Sequence, residues 1–125
     1  MKLGPLFISI ESTVLSKDDT KNLNSNYVGG VILFSRNYEN KTQLQELINA
    51  IKDIKSPELI VCVDQEGGRV NRLRKFFNSD NLTNEYFGKL YLEDKKKFNK
   101  ELRNFIDKTS NMLRYIGANI NTVPV

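Results

Sequence analysis

Residues 60–72 of this 125-residue chain, IVCVDQEGGRVNR, determine how the rest of the sequence is interpreted. Residues 59–63 are almost continuously apolar, so both faces of the predicted strand must be covered, as in a parallel sheet with helices outside. Asp64 follows at once, and the pair Gly67-Gly68 allows a sharp turn after it. The sequence therefore places a carboxylate at the carboxyl end of a buried strand, where functional groups gather in parallel α/β folds.

Apolar runs predict further strands on both sides of this segment. The four predicted strands cover residues 6–10, 28–34, 59–63 and 118–125. Helical patterns separate most of them, which gives the order β-α-β-α-β-loop-α-β. This alternation predicts an α/β fold with a parallel sheet, and both a doubly wound sheet and a β/α barrel fit it.

The helices are predicted from capping residues and apolar stripes. They begin after the N-cap Ser16, at the capping box Thr42–Gln45, near residue 83 and near residue 93. The last and longest helix is predicted to end at residue 116, because Gly117 can adopt the left-handed conformation that closes helices. Residues 67–83 are predicted to be a loop.

Composition indicates a single globular domain over residues 1–125, with 39% hydrophobic and 27% charged residues. The net charge is +4, but the dense lysine cluster at 95–100 is typical of a solvated helix face. No aromatic residues alternate with these lysines to form a base-stacking surface, so we expect no nucleic-acid partner.

The sequence also lacks several features that would indicate other partners or compartments. Its single cysteine, Cys62, permits no internal disulfide, which fits a reducing cytoplasm. No apolar segment is long enough to span a bilayer, so no membrane association is expected. Neither a GxGxxG nor a P-loop motif is present, and we expect no cofactor and no metal ion.

Asp64 and the arginines near it are the candidate site residues. A carboxylate can accept two hydroxyl hydrogen bonds while guanidinium groups donate to oxygen atoms, so Asp64 with Arg36, Arg69 or Arg72 could bind vicinal hydroxyls. Other interpretations remain open from the residues alone. Asp64 could accept hydrogen bonds from its own loop backbone, Arg36 could be a buried ion-pair partner, and Glu66 could be structural or solvated.

Three collinear segments carry a family resemblance. Residues 63–72, VDQEGGRVNR, strongly resemble the VDQEGGRVxR signature of the bacterial β-N-acetylglucosaminidases of glycoside hydrolase family 3. Residues 29–38, GGVILFSRNY, are similar to the GGxILFxRNY segment of that family. The terminal residues 119–125, NINTVPV, are similar to the stretch that leads into its APVxD element.

The resemblance implies that the chain is the first half, about four β/α units, of a single (β/α)8 catalytic barrel. It implies retaining hydrolysis of terminal β-linked N-acetylglucosamine from peptidoglycan-derived muropeptides in the cytoplasm. Carried over by position, Asp64 and Arg72 would bind the sugar hydroxyls. The resemblance also implies that Glu66, Gly67 and Gly68 shape the loop between them.

The sequence departs from the family where catalysis is concerned. The family uses a Lys-His pair in a KHFPGHG-like motif, a histidine as acid/base and an aspartate nucleophile after a late strand, whereas this sequence has no histidine. No catalytic residue is therefore assigned, and the chain alone is expected to be inactive. A half barrel would also expose two sheet edges, so a second chain could complete it. The alternatives are a non-catalytic sugar-binding module and an inactive, decayed fragment.

Overall fold

The computed structural model describes residues 2–123, and a parallel sheet is at its centre. The strands are β1 (Leu6–Ile8), β2 (Val28–Leu33), β3 (Ile60–Val63), β4 (Gln65–Gly67), β5 (Val70–Asn71) and β6 (Ile120–Asn121). Four of them form the sheet in the order β1-β2-β3-β6, and every neighbouring pair is parallel. The order follows the chain without reversing, unlike a doubly wound sheet, which reverses at a switch point.

Four α-helices accompany the sheet. They are α1 (Lys17–Leu23), α2 (Lys41–Lys52), α3 (Asn84–Glu93) and α4 (Lys95–Ile116). The predicted N-cap Ser16 is confirmed, because its hydroxyl accepts a hydrogen bond from the Asp19 amide. Gly117 ends α4 with φ of 89°, also as predicted. None of the helices described is long and apolar enough to cross a membrane.

Two predicted helix starts are wrong by about two residues. Helix α2 is capped by Asn40, whose side chain accepts the Gln43 amide at 3.0 Å, and not by Thr42. Helix α4 begins after Asp94, whose carboxylate accepts the amides of Lys96 and Lys97 at 3.0 and 2.9 Å. In both cases the side chain of an Asn or Asp other than the predicted first residue reaches the free amides of the first turn.

The core lies between the sheet and the helices and is almost entirely aliphatic. Residues of β2, β3, α2 and α4 are at most 1% exposed here, namely Val31, Val61, Leu44, Ile48, Ile51 and Ile116. Strands β2 and β3 are buried on nearly every residue, as the apolar runs predicted. Their burial confirms that both faces of these two central strands are covered, whereas Leu6 of β1 and Ile120 of β6 remain 53% and 41% exposed.

The last strand is shorter than predicted, because asparagine side chains replace part of its backbone pairing. The Asn119 backbone amide donates to the Val61 carbonyl at 2.8 Å, and its side-chain Oδ1 accepts the Val61 amide at 2.9 Å. The Asn121 side chain makes the same two-way contact with the Gln65 backbone, at 2.9 and 3.1 Å. Residues 124 and 125 of the predicted strand lie outside the described part of the chain.

The segment predicted as a loop after residue 67 contains a small hairpin. Strands β4 and β5 pair antiparallel, so the chain folds back immediately after β3. Gly67 and Gly68 turn it with φ of 93° and 59°, values that L-residues with a side chain rarely adopt. A Cβ on Gly67 would also lie 2.4 Å from the Leu82 carbonyl oxygen. Glycine is therefore required at this turn for both backbone conformation and space.

Replacing Gly67 with alanine should destabilise the chain by roughly 2 kcal/mol or more, through the strained φ and the clash with Leu82. Gly88→Ala is the matched control, because Gly88 lies in α3 with open space around its Cβ position. That change should stabilise by about 0.5–1 kcal/mol. Urea unfolding followed by circular dichroism measures both, and a Gly67→Ala protein as stable as the original would contradict this account.

Candidate functional site

The candidate site lies where three neighbouring strands end. Leu33 is paired with Val63 across β2 and β3, and Val63 with Asn121 across β3 and β6. The next residue of each strand is therefore at the same level of the sheet. These residues are Phe34, Asp64 and Thr122, which bring an aromatic ring, a carboxylate and a hydroxyl to one edge.

Asp64 is held by two different side chains. The Thr122 hydroxyl donates a short hydrogen bond to Asp64 Oδ1, and the Arg72 guanidinium lies 3.6 Å from Asp64 Oδ2. Within residues 2–123, no backbone amide of its own loop donates to this carboxylate, so that alternative for Asp64 is not supported. The Asp64 side chain is 18% exposed, which leaves the carboxylate reachable from solvent while two partners fix its orientation.

Arg72 is placed by groups from other parts of the chain. Its guanidinium carbon lies 5.1 Å from the centre of the Phe34 ring, and the Tyr38 hydroxyl donates to its backbone carbonyl. Burial raises the pKa of Tyr38, so this hydroxyl stays protonated and continues to donate at neutral pH. The Arg72 Nε atom is buried and has no hydrogen-bond partner within residues 2–123.

The loop between Asp64 and Arg72 is fixed from inside by Gln65, which is 1% exposed. Its side-chain amide donates to Asn71 Oδ1 at 2.8 Å and to the Ser79 hydroxyl at 3.2 Å. Its carbonyl oxygen accepts the Leu73 amide at 2.9 Å. Asn71 in turn donates to Asp80 at 2.9 Å. One buried side chain thus determines the path of the whole segment that carries Arg72.

The other sequence candidates are not brought together with Asp64. Arg36 is exposed, donates from Nε to the Ile10 carbonyl at 3.1 Å and lies 4.7 Å from the Phe34 ring centre, so its interpretation as a buried ion-pair partner is wrong. Arg69 is exposed at the turn. Glu66 is half-buried and lines a separate cavity beside α4. Of the sequence candidates, only Asp64 and Arg72 are therefore in contact with each other.

Sequence reasoning assigned no role to three residues that hold this pair. Thr122 and Phe34 were missed because each depends on strand register, which no local pattern specifies. Tyr38 had a local signal, since it closes the GGVILFSRNY segment, but its contact with Arg72 spans 34 residues. Asn37 in the same segment is fully buried and binds the Phe34 amide and the Ile10 and Ser12 carbonyls. This part of the segment supports the site and does not line it.

The parallel strands and the helices between them define an α/β protein, and the Asp64–Arg72 pair lies at the carboxyl end of β3, its candidate site. Residues 4–83 match the family model described as the Glycosyl hydrolase family 3 N terminal domain. The chain belongs to glycosyl hydrolase family 3, and its α/β fold is the one this domain has.

The curated relatives are much longer than this chain, and only part of each one matches it. The chain is 52% identical over 77 residues to the Beta-hexosaminidase of Nitrosomonas eutropha, which covers 62% of this chain and 22% of that protein. It is 40% identical over 97 residues to the Beta-hexosaminidase of Methylobacillus flagellatus, covering 78% and 28%. The chain thus spans less than a third of these relatives.

Solved structures also match this chain over only part of their own length. Native NagZ from Neisseria gonorrhoeae superposes with a TM-score of 0.87 at 29% identity, covering 98% of this chain and 36% of that one. The complex of that NagZ with N-trifluoroacetyl-D-glucosamine superposes with a TM-score of 0.65 at 36% identity, covering 74% and 27%. These likenesses support a beta-hexosaminidase portion within the family.

Replacing Gln65 with leucine should cost about 2–4 kcal/mol of stability, because the Leu73 amide and the Asn71 Oδ1 would lose their buried partner. Glu66→Gln is the neighbouring control, since Glu66 makes no ion pair within residues 2–123, and it should change stability by less than about 0.5 kcal/mol. Denaturant unfolding measures both variants. Equal losses would show that the hairpin does not depend on the Gln65 hydrogen bonds.

Proposed function

We propose that this chain supplies the sugar-binding wall of a β-N-acetylhexosaminidase site. The observation that carries the proposal is the Asp64 carboxylate, held by Thr122 and Arg72 at the strand ends and still partly exposed. An ionised carboxylate accepts hydrogen bonds from two adjacent hydroxyls, and a neighbouring guanidinium donates to their oxygen atoms. This pairing matches the vicinal hydroxyls of a terminal sugar residue.

The proposed substrate is a terminal β-linked N-acetylglucosamine, as found in peptidoglycan-derived muropeptides, and the proposed compartment is the cytoplasm. The relatives named Beta-hexosaminidase support the sugar class. The N. gonorrhoeae NagZ complex with N-trifluoroacetyl-D-glucosamine supports it independently, because its ligand is an N-acylglucosamine. Each of these observations concerns a relative, and the step to this chain is our proposal.

The proposed reaction is retaining hydrolysis, in which one carboxylate attacks the sugar and a second group acts as acid and then base. In this proposal Asp64 and Arg72 bind and orient the sugar, and neither reacts with it. The reacting groups come from polypeptide beyond this chain, consistent with the absence of histidine from its sequence. Two immobilised contacts on the hydroxyls would hold the sugar ring in the orientation that attack requires.

We also propose that a further polypeptide segment packs on the β6 edge and completes the barrel. Ile106 of α4 and Ile120 of β6 are 52% and 41% exposed there. Between α4 and the strand end lies a cavity of about 360 Å³, in which apolar side chains such as Leu102 and Leu113 alternate with polar ones that include the buried Thr109. The Thr109 hydroxyl has no hydrogen-bond partner within residues 2–123. A parallel strand and helix added here would cover the apolar groups and provide that partner.

Titration of the chain with N-acetylglucosamine, followed by ¹⁵N–¹H chemical shifts, should show weak binding at Asp64, Arg72 and Thr122. Asp64→Asn should weaken sugar binding by roughly tenfold or more. The asparagine amide has one uncharged acceptor oxygen, whereas the carboxylate has two acceptor oxygens that share a negative charge. Asp53→Asn is the control, because Asp53 is exposed at the end of α2.

Two outcomes would contradict different parts of the proposal. Sugar binding that is equal in the Asp64→Asn and Asp53→Asn proteins would remove Asp64 from the site. Hydrolysis of a chromogenic N-acetyl-β-glucosaminide by the chain purified without a companion would show that it already contains the reacting groups. Binding without turnover fits both the proposed partial site and a non-catalytic sugar-binding module. Adding a polypeptide that completes the barrel separates the two, because only the partial site would then hydrolyse the glycoside.

The apolar β6 edge should make the chain associate with itself at micromolar concentrations when nothing covers it. Ile106→Lys should shift the chain toward monomer, because a lysine ammonium resists burial in an apolar contact. Leu92→Lys is the matched control, since Leu92 lies on α3 and is 83% exposed. Size-exclusion chromatography with light scattering measures both. An equal shift in the two variants would assign the association to general surface apolarity.

A further inference from the structure

A second cavity, of about 340 Å³, opens on the outer side of α2 and α4. Its walls come from the first turn of α2, the loop after β5 and the second half of α4. The main lining residues are Lys41, Phe76, Lys108, Asn111, Met112 and Tyr115. None of them belongs to the strand-end site, so this cavity is a separate feature.

The cavity combines aromatic walls with positive charge. The Lys41 ammonium lies 5.8 Å from the Phe76 ring centre and 5.7 Å from the Tyr115 ring centre, which places it near both rings. Lys108 adds a second ammonium, and no lining residue is acidic. Neither lysine forms an ion pair within residues 2–123, so both charges remain available to a ligand.

Contacts hold the Phe76 ring and the Tyr115 backbone in the cavity wall, whereas the Tyr115 side chain is 57% exposed. The Phe76 ring packs on Tyr38 with 4.9 Å between ring centres, and Gln45 of α2 donates to the Tyr115 carbonyl at 2.7 Å. The helix wall is one face of α4, because residues 108, 111, 112 and 115 recur at helical spacing. Residues 102, 106, 109 and 113 line the cavity at the β6 edge from another face. Polypeptide packed on that edge would therefore leave this cavity open.

We propose that this cavity binds a small organic anion that has a flat apolar ring, such as an aryl carboxylate. The ring would lie against Phe76, Met112 and Tyr115, and the carboxylate would accept hydrogen bonds from the ammonium groups of Lys41 and Lys108. Its volume is in the range of small-molecule sites, and the mixture of apolar walls with a few convergent polar groups is typical of them.

The probe for this site is 2-naphthoate, with the uncharged 2-naphthamide as its matched control. Titration followed by ¹⁵N–¹H shifts should move the amide signals of Lys41, Phe76, Asn111 and Tyr115. Naphthamide should bind at least about fivefold more weakly, because it cannot form charge-assisted hydrogen bonds with the two ammonium groups. Equal binding of the two compounds would overturn the proposal.

Two variants and one control test the lysines. Lys41→Gln and Lys108→Gln should each weaken 2-naphthoate binding by about fivefold, whereas Lys100→Gln should not change it, since Lys100 is exposed on α4 outside the cavity. The spectrum of each variant shows directly whether the fold is retained. Unchanged affinity in both cavity variants, or shifts confined to the β6 edge, would overturn the proposal.

Discussion

The parallel register of β2, β3 and β6 is the constraint on which the candidate site depends. Strands β2 and β3, which pair Leu33 with Val63, do not slip, because slippage by one residue would turn buried apolar side chains to the wrong face. The pairing of Val63 with Asn121 is held by the hydrogen bonds of the Asn119 and Asn121 side chains to the Val61 and Gln65 backbone. The first residue after each strand therefore reaches the same edge. Asp64 and Thr122, which are 58 positions apart in sequence, meet only because this pairing is fixed.

The contact between Asp64 and Arg72 also depends on a rigid loop. Arg72 could not stay near Asp64 on a flexible segment, since a long side chain loses conformational freedom when it is ordered. Here the loop backbone is held by the buried Gln65 side chain and by the Tyr38 hydroxyl, while the glycine turn sets its direction. Much of the ordering is thus complete before any ligand arrives, which lowers the entropic cost of binding at this site.

Local signals predicted much of this fold. The apolar runs of β2 and β3, the end of α4 at Gly117 and the position of Asp64 after β3 are confirmed, because periodicity and glycine conformation act over a few residues. What local signals could not supply was long-range pairing. Thr122 as a partner of Asp64, and Asn119 as a substitute for backbone pairing, both depend on where β6 lies beside β3. The caps Asn40 and Asp94 were missed for a milder reason, since several polar residues near each helix start could serve.

The position of Thr122 in the chain has a consequence for biosynthesis. Polypeptides leave the ribosome amino end first, so Asp64 is synthesised 58 residues before its hydroxyl partner. Arg72 follows Asp64 by a few residues, and it is therefore the first of the two partners available to the nascent carboxylate. Strand β6 is synthesised after β2, β3 and α4. Its asparagines can therefore pair with the backbone of β3 only after α4 has been made. A ribosome stalled within α4 would hold a nascent chain that includes Asp64 and Arg72 but not yet Thr122.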